Sequence, residues 1–409
     1  EGYGVYHSEH PWDSGKFVNE CADVETSTEG ESATYEAATI SHDPRSQWEY
    51  AVLSSLADNG NTYTAFMYSD WNATSGSFGT TTNCYREGGL YVPTGASVIL
   101  ELNGHSVNRG LTSARANGYV IYIGGGTLTI RDSSAAGTGK VTGGFNNSDY
   151  QSSGVTVQGG TLILESGAIT GNRNNNAHGG VDVRNSGSFV MKGGSIDHNS
   201  ARTSGLFGAG ITVTGKASSI EITGGSISSN TGNVALYIES ISCNISNLTV
   251  ADNNSTQPTI LITNTPTINF TNCNVTGNTV SSLSVIRIDA AATVSWENSV
   301  IENNKCGSYS VVSTANAQSN LTFTNCIIQN NTCNYPFLIK GMLTLENTVI
   351  MDNTATTCGA IRSESTGNVS ITGGEISGNN ITTNTSSESR GVICSYGTLV
   401  MNDVTISNN

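Results

Sequence analysis

Apolar residues fall in short runs along most of the 409-residue chain, and the runs repeat. The most regular run is an aliphatic residue, two variable residues and then Asn. It first appears as SGAITGN at Ser166–Asn172 and returns as GGSIDHN, GGSISSN, LTVADN, CNVTGN, NSVIENN, NCIIQNN, NTVIMDN, GGEISGN and DVTISNN. The Asn positions are Asn172, Asn199, Asn230, Asn253, Asn278, Asn304, Asn331, Asn353, Asn379 and Asn409. Copies recur about every 22 to 31 residues, a period that marks a solenoid.

Two further registers move with the first. Seven and five residues before each aliphatic anchor stands an apolar pair, such as Leu162/Leu164, Phe189/Met191, Val294/Trp296 and Leu399/Met401. A spacing of two is a strand with one buried face. A third run lies between copies: Val155/Val157, Val181/Val183, Ile211/Val213, Leu236/Ile238, Ile260/Ile262, Val285/Ile286 and Val392/Ile393. Gly, Asn and Ser occupy the bends. The pattern predicts an all-β chain: a right-handed parallel β-helix of about 26 residues and three strands per coil. Each coil alone has no core, and stacking closes one. A buried Asn at a bend can bond the backbone and its copy in the next coil, so the Asn column predicts a ladder. Asn also suits the left-handed backbone of such bends.

The only amphipathic helical run is RSQWEYAVLSSLA at residues 45–57, with Trp48, Val52 and Leu56 on one face and Asp43-Pro44 as its start. A strand-like run follows at Thr62–Trp71. Residues 45–90 are therefore expected to cap the open end of the solenoid, whose strand edges would otherwise be unpaired. Residues 1–44 read as an irregular polar arm. His7, His10 and Asp13 within it match no ligand spacing and read as surface residues. The solenoid is expected over residues 91–409 and, having no visible cap at Asn409, to continue into further chain or meet another subunit.

Composition narrows the function. Charged residues are only 12 %, net charge is −15, and no Lys/Arg-rich run occurs, which speaks against nucleic acid as a partner. No apolar stretch approaches the ~18 residues of a membrane span, so no membrane insertion is expected in this segment. No cofactor is implied. Nine cysteines include no C-x-x-C pair, which removes the common zinc and haem-attachment patterns. Cys243, Cys273 and Cys326 read as small core residues. Cys306 and Cys333 each lie two residues after a ladder Asn in consecutive coils, within disulfide range if the coils stack. Cys21 and Cys84 are a second possible pair.

The segments VILELNGH at Val98–His105, VNRGL at Val107–Leu111, GGTLTIRDSS at Gly125–Ser134 and GKVTGG at Gly139–Gly144 resemble the opening of pectin-lyase-like right-handed β-helix domains in large secreted surface proteins. QWEYAVLSSL and SDW upstream resemble their entry segment. The later repeats resemble polymorphic outer-membrane-protein and adhesin repeats. The resemblance covers about residues 45–409 and implies this fold, an extracellular or cell-surface location, and contact with host or matrix glycans or proteins. A fold does not carry a function by itself.

Catalytic β-helices need clustered carboxylates or a Ca²⁺ site with a base. The densest charged patch is Arg173, His178, Asp182, Arg184, Asp197, His198 and Arg202. Asp182 and Arg184 alternate with Val181 and Val183, so both are expected to point outward over one strand face. AHGG at Ala177–Gly180 does not reproduce the polygalacturonase signature. Asp182, Arg184, His178, Asp197 and His198 are thus weak catalytic candidates, and no metal site is expected. The sequence favours a non-catalytic stalk or adhesin-like module. A carbohydrate-active β-helix and a self-assembling filament subunit are the alternatives.

Overall fold

The computed structural model describes residues 42–148, 151–264, 266–382 and 391–409. The arm up to residue 41, with His7, His10, Asp13 and Cys21, lies outside the described residues.

The chain winds as a parallel β-helix with three sheets of 13 strands each. The first sheet starts at Thr62–Phe66, the second at Trp71–Asn72, and the third at Tyr85–Arg86 and Gly89–Val92. Coil follows coil in register, so that Leu162 sits beside Phe189, Ile169 beside Ile196, and Val155 beside Val181. Thr62–Phe66 already pairs in parallel with Ser97–Glu101. The first rung therefore lies inside the stretch read from sequence as cap, and the solenoid begins at Thr62 rather than at residue 91.

The predicted columns are the core. Leu162, Leu164, Phe189, Met191, Ile169, Ile196, Val181 and Val183 are all fully buried. In the first sheet the rings of Phe270 and Trp296 stack with centroids 3.9 Å apart and planes 5° apart, and Phe323 continues the column. Two later rungs shift from the sequence reading. The third-sheet residues facing Ile260 and Ile262 are Ile286 and Ile288, not Val285 and Ile286. Cys243, opposite Ile268, is only partly buried.

The Asn ladder forms throughout. Each Oδ1 accepts the backbone N–H and the Nδ2 of the ladder Asn one coil before, as in Asn304 N to Asn331 Oδ1 at 2.9 Å and Asn304 Nδ2 to Asn331 Oδ1 at 3.0 Å. The other Nδ2 hydrogen goes to an anchor carbonyl, Val275 O in this case. Donors and acceptors are thus matched in a column that excludes water. The left-handed backbone sits elsewhere than expected. The ladder Asn is not left-handed; the residue before it is, in every one of the ten coils: Gly171, His198, Ser229, Asp252, Gly277, Asn303, Asn330, Asp352, Gly378 and Asn408 all have positive φ. Only small or polar side chains tolerate that conformation cheaply.

A second left-handed column links the first and second sheets at Asn247, Asn272, Asn298, Asn325, Asn347, Gly373 and Asp403, and in the earlier coils the step falls one residue later, at Gly167, Gly194 and Gly225. The residue after Asn272, Asn298, Asn325 and Asn347 is Cys273, Ser299, Cys326 or Thr348. Cys273 N donates to Ser299 Oγ at 3.0 Å and Cys326 N to Thr348 Oγ1 at 3.4 Å. Cys273 and Cys326 are buried, and their thiols also reach the carbonyls of Thr271 and Thr324. They fill hydroxyl positions of a thiol–hydroxyl column rather than acting as inert apolar groups.

Helix α1, Pro44–Ala57, starts where the sequence places it. Asp43 caps it by accepting from Ser46 N at 3.1 Å, with Pro44 in the first turn. It packs on the first two strands of the first sheet. Trp48, Ala51 and Val52 are fully buried, and Trp48 Nε1 donates to Cys84 O at 2.9 Å.

Candidate functional site

The buried charged residues of the first coils serve the fold. Glu101 is buried and accepts from Asn103 N and Ser133 N at 3.0 and 2.9 Å, with Arg131 Nε at 2.7 Å. Asp132 accepts from Gly104 N, Ser134 N and Gly139 N. Burial alone would raise its carboxyl, but these hydrogen bonds hold it below the ordinary value. Arg109 is buried and donates to Gly76 O at 3.1 Å, Asn117 O at 2.6 Å, Glu87 O at 2.7 Å and Tyr119 O. Burial lowers its guanidinium to about 10. These three residues knit the first coils together.

Asp182 is different. It lies on Val181–Arg184 in the third sheet, between Thr156 and Thr212 of the neighbouring coils. Its side chain does point away from the core, but not over an open groove. Thr156, Asp182 and Thr212 are all fully buried, and Tyr122, Tyr237 and Leu261 in the same row are nearly so. Segments leading into the strands fold back across this face. Ser152 N donates to Thr156 Oγ1 at 3.1 Å, and Gly208 N to Thr212 Oγ1 at 3.0 Å. The solvated Asp/Arg pair expected from alternation is thus corrected by these segments, which alternation alone does not report.

Arg184 Nη2 lies 2.5 Å from Asp182 Oδ2. Asp182 Oδ1 and Arg184 Nε have no hydrogen-bond partner. Unlike Asp132, Asp182 receives no backbone N–H. Desolvation therefore wins over Arg184 and pushes the carboxyl up to about 6. His178 is also buried. Its Nδ1 faces Thr212 Oγ1 at 2.8 Å and accepts from Gly208 N at 3.2 Å. Burial, helped by the Arg184 charge, lowers it to about 3, so it is a neutral ring that anchors a loop.

Asp197 and His198 belong to another face. Asp197 is on the second-sheet strand Ser195–Asp197. It accepts from Ser195 Oγ and Thr170 Oγ1, both at 2.5 Å, and lies 2.8 Å from His198 Nδ1. Burial opposes its charge, yet these bonds hold the carboxyl below the usual range. His198 is the left-handed residue before Asn199. The five candidate residues are therefore not one constellation: Asp182, Arg184 and His178 meet, while Asp197 and His198 form a separate turn. Arg173 lies over the Phe145 ring and Arg202 over Phe207. Among the described residues no three His, Cys, Asp or Glu side chains converge as a metal site would require.

A groove of about 570 Å³ opens beside Arg184. Gln151, Gln158, Arg184, Asn185, Thr214, Gly215, Lys216 and Glu239 line it. Gln158 is the rung partner of Arg184 and accepts from Tyr122 Oη. Glu239 accepts from Gly215 N and Asn264 Nδ2, each at 3.2 Å. Amide, hydroxyl and opposed charged groups thus share one concave flank over four coils. The sequence reading missed Gln158, Lys216 and Glu239. The available signal was a polar residue directly after the apolar pair of the third strand in consecutive coils. No family model matches the chain, and no curated protein or solved structure matches it.

Proposed function

We propose that this chain is a non-catalytic β-helix module of a secreted or cell-surface protein, a stiff stalk that makes adhesin-like contacts along its flank. The pectin-lyase-like resemblance of the first coils and the adhesin-type resemblance of the later repeats agree with this reading. The observation that carries it is the groove built on a rigid wall. Its side chains are fixed by strands in register and by the ladder behind them, so little order is lost when a ligand binds. Arg184 is balanced by Asp182, while Lys216 and Glu239 bring opposite charges to the same lining. Such a surface of amides, a hydroxyl and paired charges suits the hydroxyls of a host or matrix glycan, free or protein-borne. Binding to immobilised polysaccharides and mucins tests it: retention that weakens in a Gln158→Ala/Lys216→Ala variant is expected, and retention unaffected by that change would remove the groove from the account.

One observation favours a carbohydrate-active alternative. Asp182, buried behind the groove and paired with its Arg184, has a carboxyl raised to about 6 by desolvation, the kind of perturbed group that marks candidate chemical sites. That reading requires cleavage products that vanish in Asp182→Asn. A filament alternative draws on the last coil, where Tyr396, Val400, Met401 and Ile406 are exposed. A further coil or a second subunit would cover them, and sedimentation over a range of concentrations separates the two.

A further inference from the structure

The second and third sheets are joined by a short inward-facing corner column. It runs Ser255, Val280, Cys306, Cys333, Ala355, one residue per coil, and every member is buried. Lys305 pairs with Thr332, and Cys306 N donates to Thr332 O at 3.0 Å, which sets Cys306 directly beside Cys333. The two thiols are in contact. Adjacent parallel strands lie ~4.8 Å apart, inside the ~4.4–6.8 Å range of bridged Cα atoms. A second pair stands nearer the end of the described chain. Cys358 and Cys394, in consecutive coils, are both buried thiols, and Cys394 lies three residues beyond Gly391, the rung partner of Cys358. Cys358 Sγ is 3.4 Å from Val392 O in the coil that carries Cys394. The sequence spacing gives no hint of this pair, because Cys358 opens its strand ahead of a register shift, while Cys394 lies in the outer row beside Arg362.

We propose that Cys306–Cys333 and Cys358–Cys394 are two sites of disulfide modification, covalent clips that each tie one coil to the next. Both lie in the C-terminal third, far along the stack from α1, which covers only the first rungs. A solenoid is held by nearest-neighbour contacts, so a coil remote from the cap can peel unless something local pins it. Each clip is such a pin, and the two together span the coils from Cys306 to Cys394.

The chemistry balances with a small-molecule or protein disulfide as oxidant. One cysteine thiolate attacks the oxidant's disulfide and releases one thiol. The second cysteine then attacks the mixed disulfide, forms the Sγ–Sγ bond and releases the other thiol. Two cysteine protons and two electrons leave with the oxidant. Burial keeps all four sulfurs out of reach in the finished fold, and it pushes the Cys333 and Cys358 thiols up. Closure therefore belongs to the folding chain, as one coil settles on the next, and reduction of the folded protein should be slow.

The test uses the full chain, reduced and unfolded, then refolded in a mixture of reduced and oxidised glutathione. Remaining thiols are alkylated after denaturation, and peptides are mapped without reduction. The expected map links Cys306 to Cys333 and Cys358 to Cys394, with a mass loss of about 2 Da per bridge. Thermal melting of the oxidised protein should fall by several degrees when its bridges are reduced before refolding. A Cys306→Ala/Cys333→Ala variant should show a smaller fall. Quantitative alkylation of these four cysteines in the refolded chain, or bridges that join any of them to a different cysteine, would overturn the proposal. Linkage of only one pair would overturn it for the other.

Discussion

An amide in the middle of the ladder is tied on both sides, and its removal strands its neighbours. In Asn304→Ala, Asn278 N and Nδ2 lose their acceptor, Asn331 Oδ1 keeps the backbone N–H of residue 304 but loses the Nδ2 donor, and Val275 O loses a donor. Each buried group left unpaired costs about 1–3 kcal/mol, and some will be partly rescued by relaxation. A loss of about 3 kcal/mol in urea unfolding is expected; a loss below about 1 kcal/mol would mean the ladder is decorative. Asp182 should behave in the opposite way. The folded state raises its carboxyl to about 6 from an ordinary 3.8. The fold therefore favours the protonated form: the contribution is full below pH 3.8 and lost as pH rises to 6. Above that the charge costs about 3 kcal/mol. Asn cannot ionise, so Asp182→Asn should match the parent near pH 3.5 and exceed its stability above pH 6. A variant less stable than the parent at pH 7 would show that the Arg184 pair is a net gain. His178 runs the other way: its lowered value gives stability that is present above pH 6.5 and is lost as pH falls toward 3. Acid stability thus reflects both groups, and Asp182→Asn separates them.

Most elements were legible because their apolar spacing survives in single strands. The anchors and the first-sheet pairs repeat without interruption, since both residues of each pair face the core. The third sheet was legible only in part. Its inward positions become Val312 and Thr314, then Ile361 and Ser363, where hydroxyls replace one of the two apolar residues. Pro336 within Tyr335–Ile339 hides another rung. The ladder residues were readable, but the left-handed step before them was assigned to the wrong neighbour, because Asn is common at both. The groove left only the polar residue after each third-strand pair as a sign, for its lining comes from four coils and acquires meaning only in register. Its pairing of Arg184 with Asp182 was visible as alternation, while the burial of that pair depends on Ser152 and Gly208 folding back over Thr156 and Thr212. At the N-terminal end, Arg109 ties three turns and the first rungs through four carbonyls. Arg109→Ala should cost about 3–5 kcal/mol, as removing a buried hydrogen-bonded charge does. Arg109→Lys should rescue little, because an ammonium cannot span the same fork. Near-native melting of the Lys variant would contradict this account of the first coils.

The 13 stacked strands of each sheet make a rod with a strand-to-strand length of about 58 Å. Its two ends differ. α1 closes the first rungs, whereas the last coil leaves Tyr396, Val400, Met401 and Ile406 exposed. Local opening should therefore run along the axis. Amides of residues 391–409 should exchange with solvent many-fold faster than those around Asn278–Asn331. Equal protection at both places would indicate that the end is covered in solution, as the filament alternative requires. The groove lies away from this end, on coils that the ladder ties together, where a contact surface would keep its shape under load.

The most direct measurement is incubation of the purified chain with a panel of acidic and neutral polysaccharides and mucins, scoring retention and new chain ends together. The account predicts retention without new ends, reduced in Gln158→Ala/Lys216→Ala. New chain ends that disappear in Asp182→Asn, or no retention on any member of the panel, would contradict it.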